Sequence, residues 1–233
     1  MKILVFCPTA PRLEAEVVNA IFNQEGVEFY DVMFTRDNPY EYQYQRVYKN
    51  IQLNYEKMRR IALSENYQKV WIVESDTIPP KDALKKMLEV DAPVVSALYA
   101  LRHGEPVPNL MRAGKTASIG ETLKWPEIFD SNDIVIDVSG GCMGCLLVDR
   151  SILEHFSFED ECNKSAPDVP FMEYCWSHKI QQKARLDVVC GHVKPDGLVL
   201  IPSAENIQGY VKVTKERSHL IIDPICIESE VLN

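Results

Sequence analysis

Several things are missing from this sequence, and each absence removes a class of protein. No apolar run approaches the roughly 20 residues of a membrane-spanning helix. The opening stretch MKILVFCPTAP carries one lysine and a short apolar run cut by Pro8 and Pro11. That is too short for a secretory leader, so it reads as a first buried strand, and the expected location is cytoplasmic with no membrane insertion. There is no basic stripe: 25 Lys and Arg face 34 Asp and Glu, a formal net charge of −9. Tight non-specific attachment to nucleic acid or an anionic lipid surface is disfavoured by that balance. The 7 cysteines are odd in number and scattered. Cys142 and Cys145 form a lone C-x-x-C, without the second pair that a structural zinc site wants. With no export signal they read as reduced thiols, small and buried. No internal repeat and no low-complexity linker is present.

What is there indicates a folded α/β chain. Hydrophobic residues make up 46% and aromatics 9% of 233 residues, which excludes a disordered chain and suits one large domain, or one domain with a tail. Lys2 to Cys7 is a continuous apolar run ending at Pro8-Thr9, the pattern of a central parallel strand and its following loop. Leu13, Val17 and Ile21 recur at helical spacing up to Gly26. Val27 to Phe34 reads as a second strand. Tyr48, Ile51, Tyr55, Met58 and Ala62 share one face of a long helix. Val70 to Val73 is a third strand, Pro80 to Val90 a short helix with Pro80 in its first turn, and Pro93 to Leu98 a fourth strand. Residues 103 to 132 read as a long loop with at most a short hairpin. Ile134 to Val138, Cys145 to Val148 and Leu186 to Cys190 read as later strands, with a helix near 170 to 182. Strand alternating with helix predicts a mixed, mainly parallel sheet flanked by helices. The expected organisation is a domain over residues 1 to 202. An extension over 203 to 233 would pack on it or mediate self-association as a homodimer.

In such sheets ligands bind at the C-terminal ends of the strands. The third strand ends in Glu74-Ser75-Asp76, followed closely by Pro79 and Pro80. If the strand pleat continues, the two carboxylates point the same way. Like charges that close repel unless a cation sits beside them. Hard divalent ions take oxygen ligands and complete their shell with phosphates. The plain alternative is a pair of solvated acids at a strand end.

The stretch NYEKMRRIALSENYQKVWIVESDTIPPKDALKKMLEVDAPVVSALYALR, residues 54 to 102, resembles the core of GT-A glycosyltransferases, in particular the short family-2-like enzymes of bacteria and phages. In those, a helix leads to a strand ending in a DxD-type motif, then proline, a helix, and a strand ending near GLYxxR. Here Arg102 stands at the terminal position. Glu74 replaces the first aspartate and Ala97 replaces a glycine. The resemblance continues through VSGGCMGCLLVDRSIL (138 to 153), PDVPFMEYCW and VVCGHVKP, with 24 residues from Asp168 to His192. It covers residues 1 to about 200, and the tail has no counterpart.

The resemblance implies a metal-dependent transferase moving a sugar from a nucleoside-diphosphate sugar, UDP-sugar by default, to an acceptor hydroxyl with inversion. It implies Mn²⁺ or Mg²⁺ held by Asp76 and His192, with Glu74 contributing through water or contacting the ribose beside Ser75. Asp168 becomes the general base, with Glu173 five residues on as its rival; either could instead cap the helix that follows. Pro8, Thr9 and Asp37 are expected to wall the nucleoside pocket, although Asp37 could equally be a turn residue. Arg59 is expected to face the diphosphate, or else solvent. Gly140 and Gly141 are small enough to let backbone approach a sugar, or else are ordinary turn glycines. The acceptor stays open among glycan, protein, small molecule and hydroxymethylated DNA base. Two other functions compete: a sugar nucleotidyltransferase and a non-catalytic nucleotide- or carbohydrate-binding module. The first usually carries a Gly-rich basic loop after the first strand, which CPTAPRLEAE lacks.

Overall fold

The computed structural model describes residues 1–9, 12–35, 44–102, 104–113, 120–161, 166–214 and 219–221. A seven-stranded sheet forms the centre, in the order Asp31–Thr35, Ile3–Pro8, Lys69–Val73, Cys145–Asp149, Val94–Leu98, Gln182–Val189 and Val135–Val138. Five strands run parallel; Cys145–Asp149 and Val135–Val138 run against them. The mixed, mainly parallel α/β sheet expected from the sequence is therefore the one observed.

The continuous apolar runs are buried on both faces, and their residues still alternate. Ile3, Val5, Trp71, Val73, Val95 and Ala97 pack with Val17, Ile21, Leu84 and Met87 on one side. Leu4, Phe6, Val70, Ile72, Val94 and Leu146 pack on the other with Tyr55, Met58 and Ala62 of the helix Tyr44–Ser64. Each large apolar side chain removed from water in this way contributes about 1.5–3 kcal/mol. Of the apolar face read from the sequence, Tyr48 lies outermost and exposed.

Several boundaries move for identifiable reasons. The second strand is Asp31–Thr35, shorter than Val27 to Phe34, because its parallel register pairs Leu4 with Asp31. Among the described residues, Val27 to Tyr30 pair with no strand. The region 103 to 132 is more structured than a loop. Leu110–Arg112 pairs with Gly140–Gly141 and with Glu121–Thr122, and Trp125–Phe129 is a short helix. Elements this short are below the length at which periodicity can be read. The later helix spans Asp168–Ser177 and stops early, since Gln182–Val189 is taken into the central sheet between Val94–Leu98 and Val135–Val138.

The largest departure positions the site. The chain does not carry one strand through to His192. It leaves the central sheet after Val189, and Gly191–Val193 joins a second, four-stranded sheet with Thr77–Ile78, Leu198–Pro202 and Tyr210–Thr214. In that sheet His192 pairs with Thr77. Part of the tail is thus in contact with the rest: Tyr210–Thr214 pairs with Leu198–Pro202, and His219–Ile221 pairs with Arg12–Glu14. Among the described residues no helix is long and apolar enough to cross a membrane.

Candidate active site

The strand Lys69–Val73 ends in a turn. Thr77 N–H donates to the Glu74 carbonyl at 3.0 Å, and Glu74 N–H donates to the Gly144 carbonyl at 2.9 Å. The pleat therefore stops at Val73, and the turn rather than strand alternation orients the two acids. Glu74 Oε1 accepts from the Tyr55 hydroxyl, 3.2 Å away on the helix Tyr44–Ser64. Asp76 turns to Arg102 and His192. The acids nevertheless feel each other. Burial first, then the charges of Asp76 and Asp168, push the Glu74 carboxyl up to about 8, against the Tyr55 hydrogen bond and the Arg102 charge. A carboxyl in that range keeps its proton at neutral pH, which reduces the negative charge crowded here.

Asp76 and His192 are locked to each other through the backbone: Val193 N–H donates to the Asp76 carbonyl at 2.8 Å. The His192 ring is buried, and its Nδ1 lies 2.7 Å from the Ala100 carbonyl. A carbonyl only accepts, so Nδ1 carries the proton and, in the neutral ring, the lone pair is on Nε2. Nε2 lies 3.7 Å from Asp76 Oδ1. That oxygen is buried without a hydrogen-bond partner among the described residues. The Tyr99 ring meets the imidazole edge-on, with centroids 5.3 Å apart, and its hydroxyl accepts from Gly144 N–H at 2.9 Å. A methyl group at Gly144 would lie 2.6 Å from the Tyr99 ring, so only glycine allows that approach.

The donor set fits a divalent cation. An orphaned carboxylate oxygen faces an imidazole whose other nitrogen is tied to a carbonyl, the usual support of a metal-binding histidine. No group of three His, Cys, Asp or Glu side chains converges among the described residues. Asp76 and His192 would hold the ion, leaving positions for phosphate oxygens and water, as Mg²⁺ and Mn²⁺ sites commonly do.

Asp168 begins the helix Asp168–Ser177. Its Oδ1 accepts from Val169 N–H at 3.0 Å. Burial raises its pKa, opposed by backbone N–H groups and by a hydrogen bond with the Cys142 thiol. Its charge acts on Glu74, Tyr55 and Tyr99, so it belongs to the same acidic cluster. Glu173 is exposed on the outer side of that helix.

The remaining residues are mostly committed to structure. Pro8 pairs with Thr35 in the sheet, and the Thr9 N–H and hydroxyl both donate to the Thr35 carbonyl. Ser75 is buried, and its carbonyl accepts from Glu14 N–H at 3.3 Å. Arg59 donates through Nε to the Leu153 carbonyl at 2.7 Å and through Nη1 to the buried Glu56 at 3.1 Å, which ties it to the helix Arg150–His155. Gly140 and Gly141 are buried. A methyl at Gly140 would lie 2.5 Å from Met172 Sδ, and one at Gly141 would lie 2.3 Å from Ser96 Oγ. Their smallness serves protein packing. Asp37 lies outside the described residues. The described cysteines, Cys7, Cys142, Cys145, Cys175 and Cys190, are free thiols.

Three participants were not singled out from the sequence. Tyr55 was legible only as one apolar position on a helix, Tyr99 only as a residue of the stretch after the fourth strand, and Cys142 only as a buried thiol. None carries a local signal for contact with Glu74, His192 or Asp168.

No protein-family model and no curated protein sequence matches the chain. Among solved structures it is similar to A197 from STIV, with a TM-score of 0.62 at 15% identity, over 96% of this chain and 100% of that one. It also aligns with residues 1–349 of S. aureus TarS, crystallised with UDP, with a TM-score of 0.45 at 18% identity over 79% of this chain. That alignment spans 57% of the TarS chain. At such identities the likeness to A197 is one of fold.

Proposed function

We propose that the chain is a divalent-metal-dependent glycosyltransferase. It would move a sugar from a nucleoside-diphosphate sugar, with uridine as the default base, to an acceptor hydroxyl with inversion. The observation that carries this reading is the Asp76–His192 pair: an orphaned buried carboxylate oxygen facing Nε2 where the parallel strands end. The sequence resemblance points to the same pair, to Asp76 through residues 54 to 102 and to His192 through VVCGHVKP.

When bound, Mn²⁺ or Mg²⁺ supplies positive charge against the departing diphosphate. The chain's residues do the rest. Asp76 and His192 fix the position of the charge. Glu74 is steadied beside them by the Tyr55 hydroxyl. Asp168 accepts the proton of the acceptor hydroxyl as its oxygen bonds to the anomeric carbon and the bond from that carbon to the diphosphate oxygen breaks. Burial holds its pKa above the usual carboxylate value, which makes it a better base for the task. Of the two acids proposed for this role, the burial of Asp168 among charged partners supports it over the exposed Glu173.

The test is a panel of nucleotide-sugars incubated with Mn²⁺ and acceptors of each class, including hydroxymethylated DNA, scored for release of nucleoside diphosphate. Release from at least one donor, abolished by EDTA and by Asp76→Asn, is the expected result. Pyrophosphate formed from a nucleoside triphosphate and a sugar phosphate would instead favour a nucleotidyltransferase. Asp76-dependent binding without release from any donor would favour a binding module.

A further inference from the structure

We propose that Arg102 competes with the cation for Asp76 and becomes a ligand of the donor diphosphate once the cation displaces it; this rests on the metal-dependent reading above. Arg102 Nη1 lies between two acceptors. One is Asp76 Oδ2, with which it makes a close ion pair. The other is the Val193 carbonyl at 3.2 Å. Asp76 thus spends one oxygen on the guanidinium and presents the other, buried and without a hydrogen bond, to His192.

Two cations on one carboxylate repel at a separation too short for salt to screen. While paired with Asp76, the guanidinium neutralises it and so opposes entry of a metal. When metal and diphosphate arrive together, the diphosphate offers the displaced guanidinium a new anion. Arginine suits this exchange because its planar fork of donors matches paired phosphate oxygens. The donors are available: among the described residues Arg102 Nε and Nη2 make no hydrogen bond, and the side chain is 29% exposed where that of His192 is 8%. The same guanidinium therefore lowers affinity for the metal alone and raises affinity for the diphosphate with metal, which favours ordered loading of the pair.

The experiment measures Mn²⁺ binding without nucleotide, then UDP and GDP binding in saturating Mn²⁺, for the wild type, Arg102→Gln, Arg102→Lys and Asp76→Asn. Arg102→Gln is expected to tighten Mn²⁺ binding about tenfold and to weaken binding of the preferred diphosphate about tenfold or more, opposite signs that a merely structural residue would not produce. Arg102→Lys keeps a cation beside Asp76 and should bind Mn²⁺ as the wild type does. Should Arg102→Gln fold poorly, a weaker diphosphate in the well-folded Arg102→Lys, with Mn²⁺ affinity unchanged, supports the same assignment through loss of the planar fork. Asp76-dependent Mn²⁺ binding that is unchanged or weakened in Arg102→Gln overturns the exchange while leaving the metal site intact. If no variant binds Mn²⁺ in a manner that depends on Asp76, the metal site itself fails and the exchange with it.

Discussion

His192 Nε2 sits 3.7 Å from Asp76 Oδ1, and the backbone bond from Val193 N–H to the Asp76 carbonyl holds the two residues in register. The separation is too long for a hydrogen bond and short enough for both atoms to reach one cation. Asp76→Asn should therefore abolish Mn²⁺-dependent binding of a nucleoside diphosphate. The stability change should be small, because the lost partner is a partly exposed arginine and such pairs contribute roughly 0–1 kcal/mol. Calorimetric titration with UDP in Mn²⁺ and in EDTA, beside a thermal melt, checks both halves; undiminished Mn²⁺-dependent binding would remove Asp76 from the site.

Asp168 and Glu173 make opposite predictions from one helix. Asp168 is largely buried and electrostatically joined to Glu74, whereas Glu173 faces solvent. Asp168→Asn should keep donor binding and slow transfer by roughly 10²–10⁴-fold, the usual scale of general-base assistance. Glu173→Gln should retain most activity. Single-turnover rates for the two variants give the ranking, and the anomeric configuration of the product by NMR tests inversion.

Glu74 sets a pH dependence of stability. Its carboxyl is raised from the ordinary 4.5 to about 8 in the fold. Below about 4.5 it is protonated whether the chain is folded or not, and no penalty arises. Between 4.5 and 8 the folded protein binds more protons than the unfolded chain, so stability falls as pH rises. Above 8 the cost of the buried charge is fully present. In EDTA, the melting temperature of the wild type should fall from pH 5 to pH 8.5 by more than that of Glu74→Gln, by at least about 2–4 °C, the equivalent of roughly 1 kcal/mol. Parallel melting curves for the two proteins would contradict the assignment.

Arg59 is expected to matter for folding alone. Its bond to the Leu153 carbonyl ties its helix to Arg150–His155, and its bond to buried Glu56 is made within its own helix. Arg59→Ala should cost about 1–3 kcal/mol, the scale of leaving buried acceptors without their donor. Affinity for nucleoside diphosphate should stay at the wild-type value. Urea denaturation beside a nucleotide titration separates the two effects, and a large loss of affinity in a stably folded variant would return Arg59 to the diphosphate site.

The order of the elements was legible along the chain because helix and strand periodicities are local. The runs at Ile3, Val70 and Val94, the buried face of Tyr55, Met58 and Ala62, and the prolines after Asp76 each specify their element within a few residues. The acids fell at strand ends for the same reason: an apolar run stops where the sheet meets water. Their orientation was not legible. Alternation predicts that Glu74 and Asp76 point together, but a turn closed by Thr77 N–H sends one to Tyr55 and leaves the other with Arg102.

The partner of each acid depends on pairing between distant segments. His192 reaches Asp76 because the chain leaves the central sheet after Val189 and enters a second sheet beside Thr77, a step prepared by the shifted register between Arg185 and Val189. No short window of sequence encodes that shift, since register is set by the sum of hydrogen bonds and side-chain packing across whole strands. The tertiary structure likewise commits Arg59 to a helix contact and fills the space beside Gly140 and Gly141 with Met172 and Ser96. The sequence by itself determined which residues could carry charge or bind metal at the edge of the sheet; long-range strand register decided which of them meet.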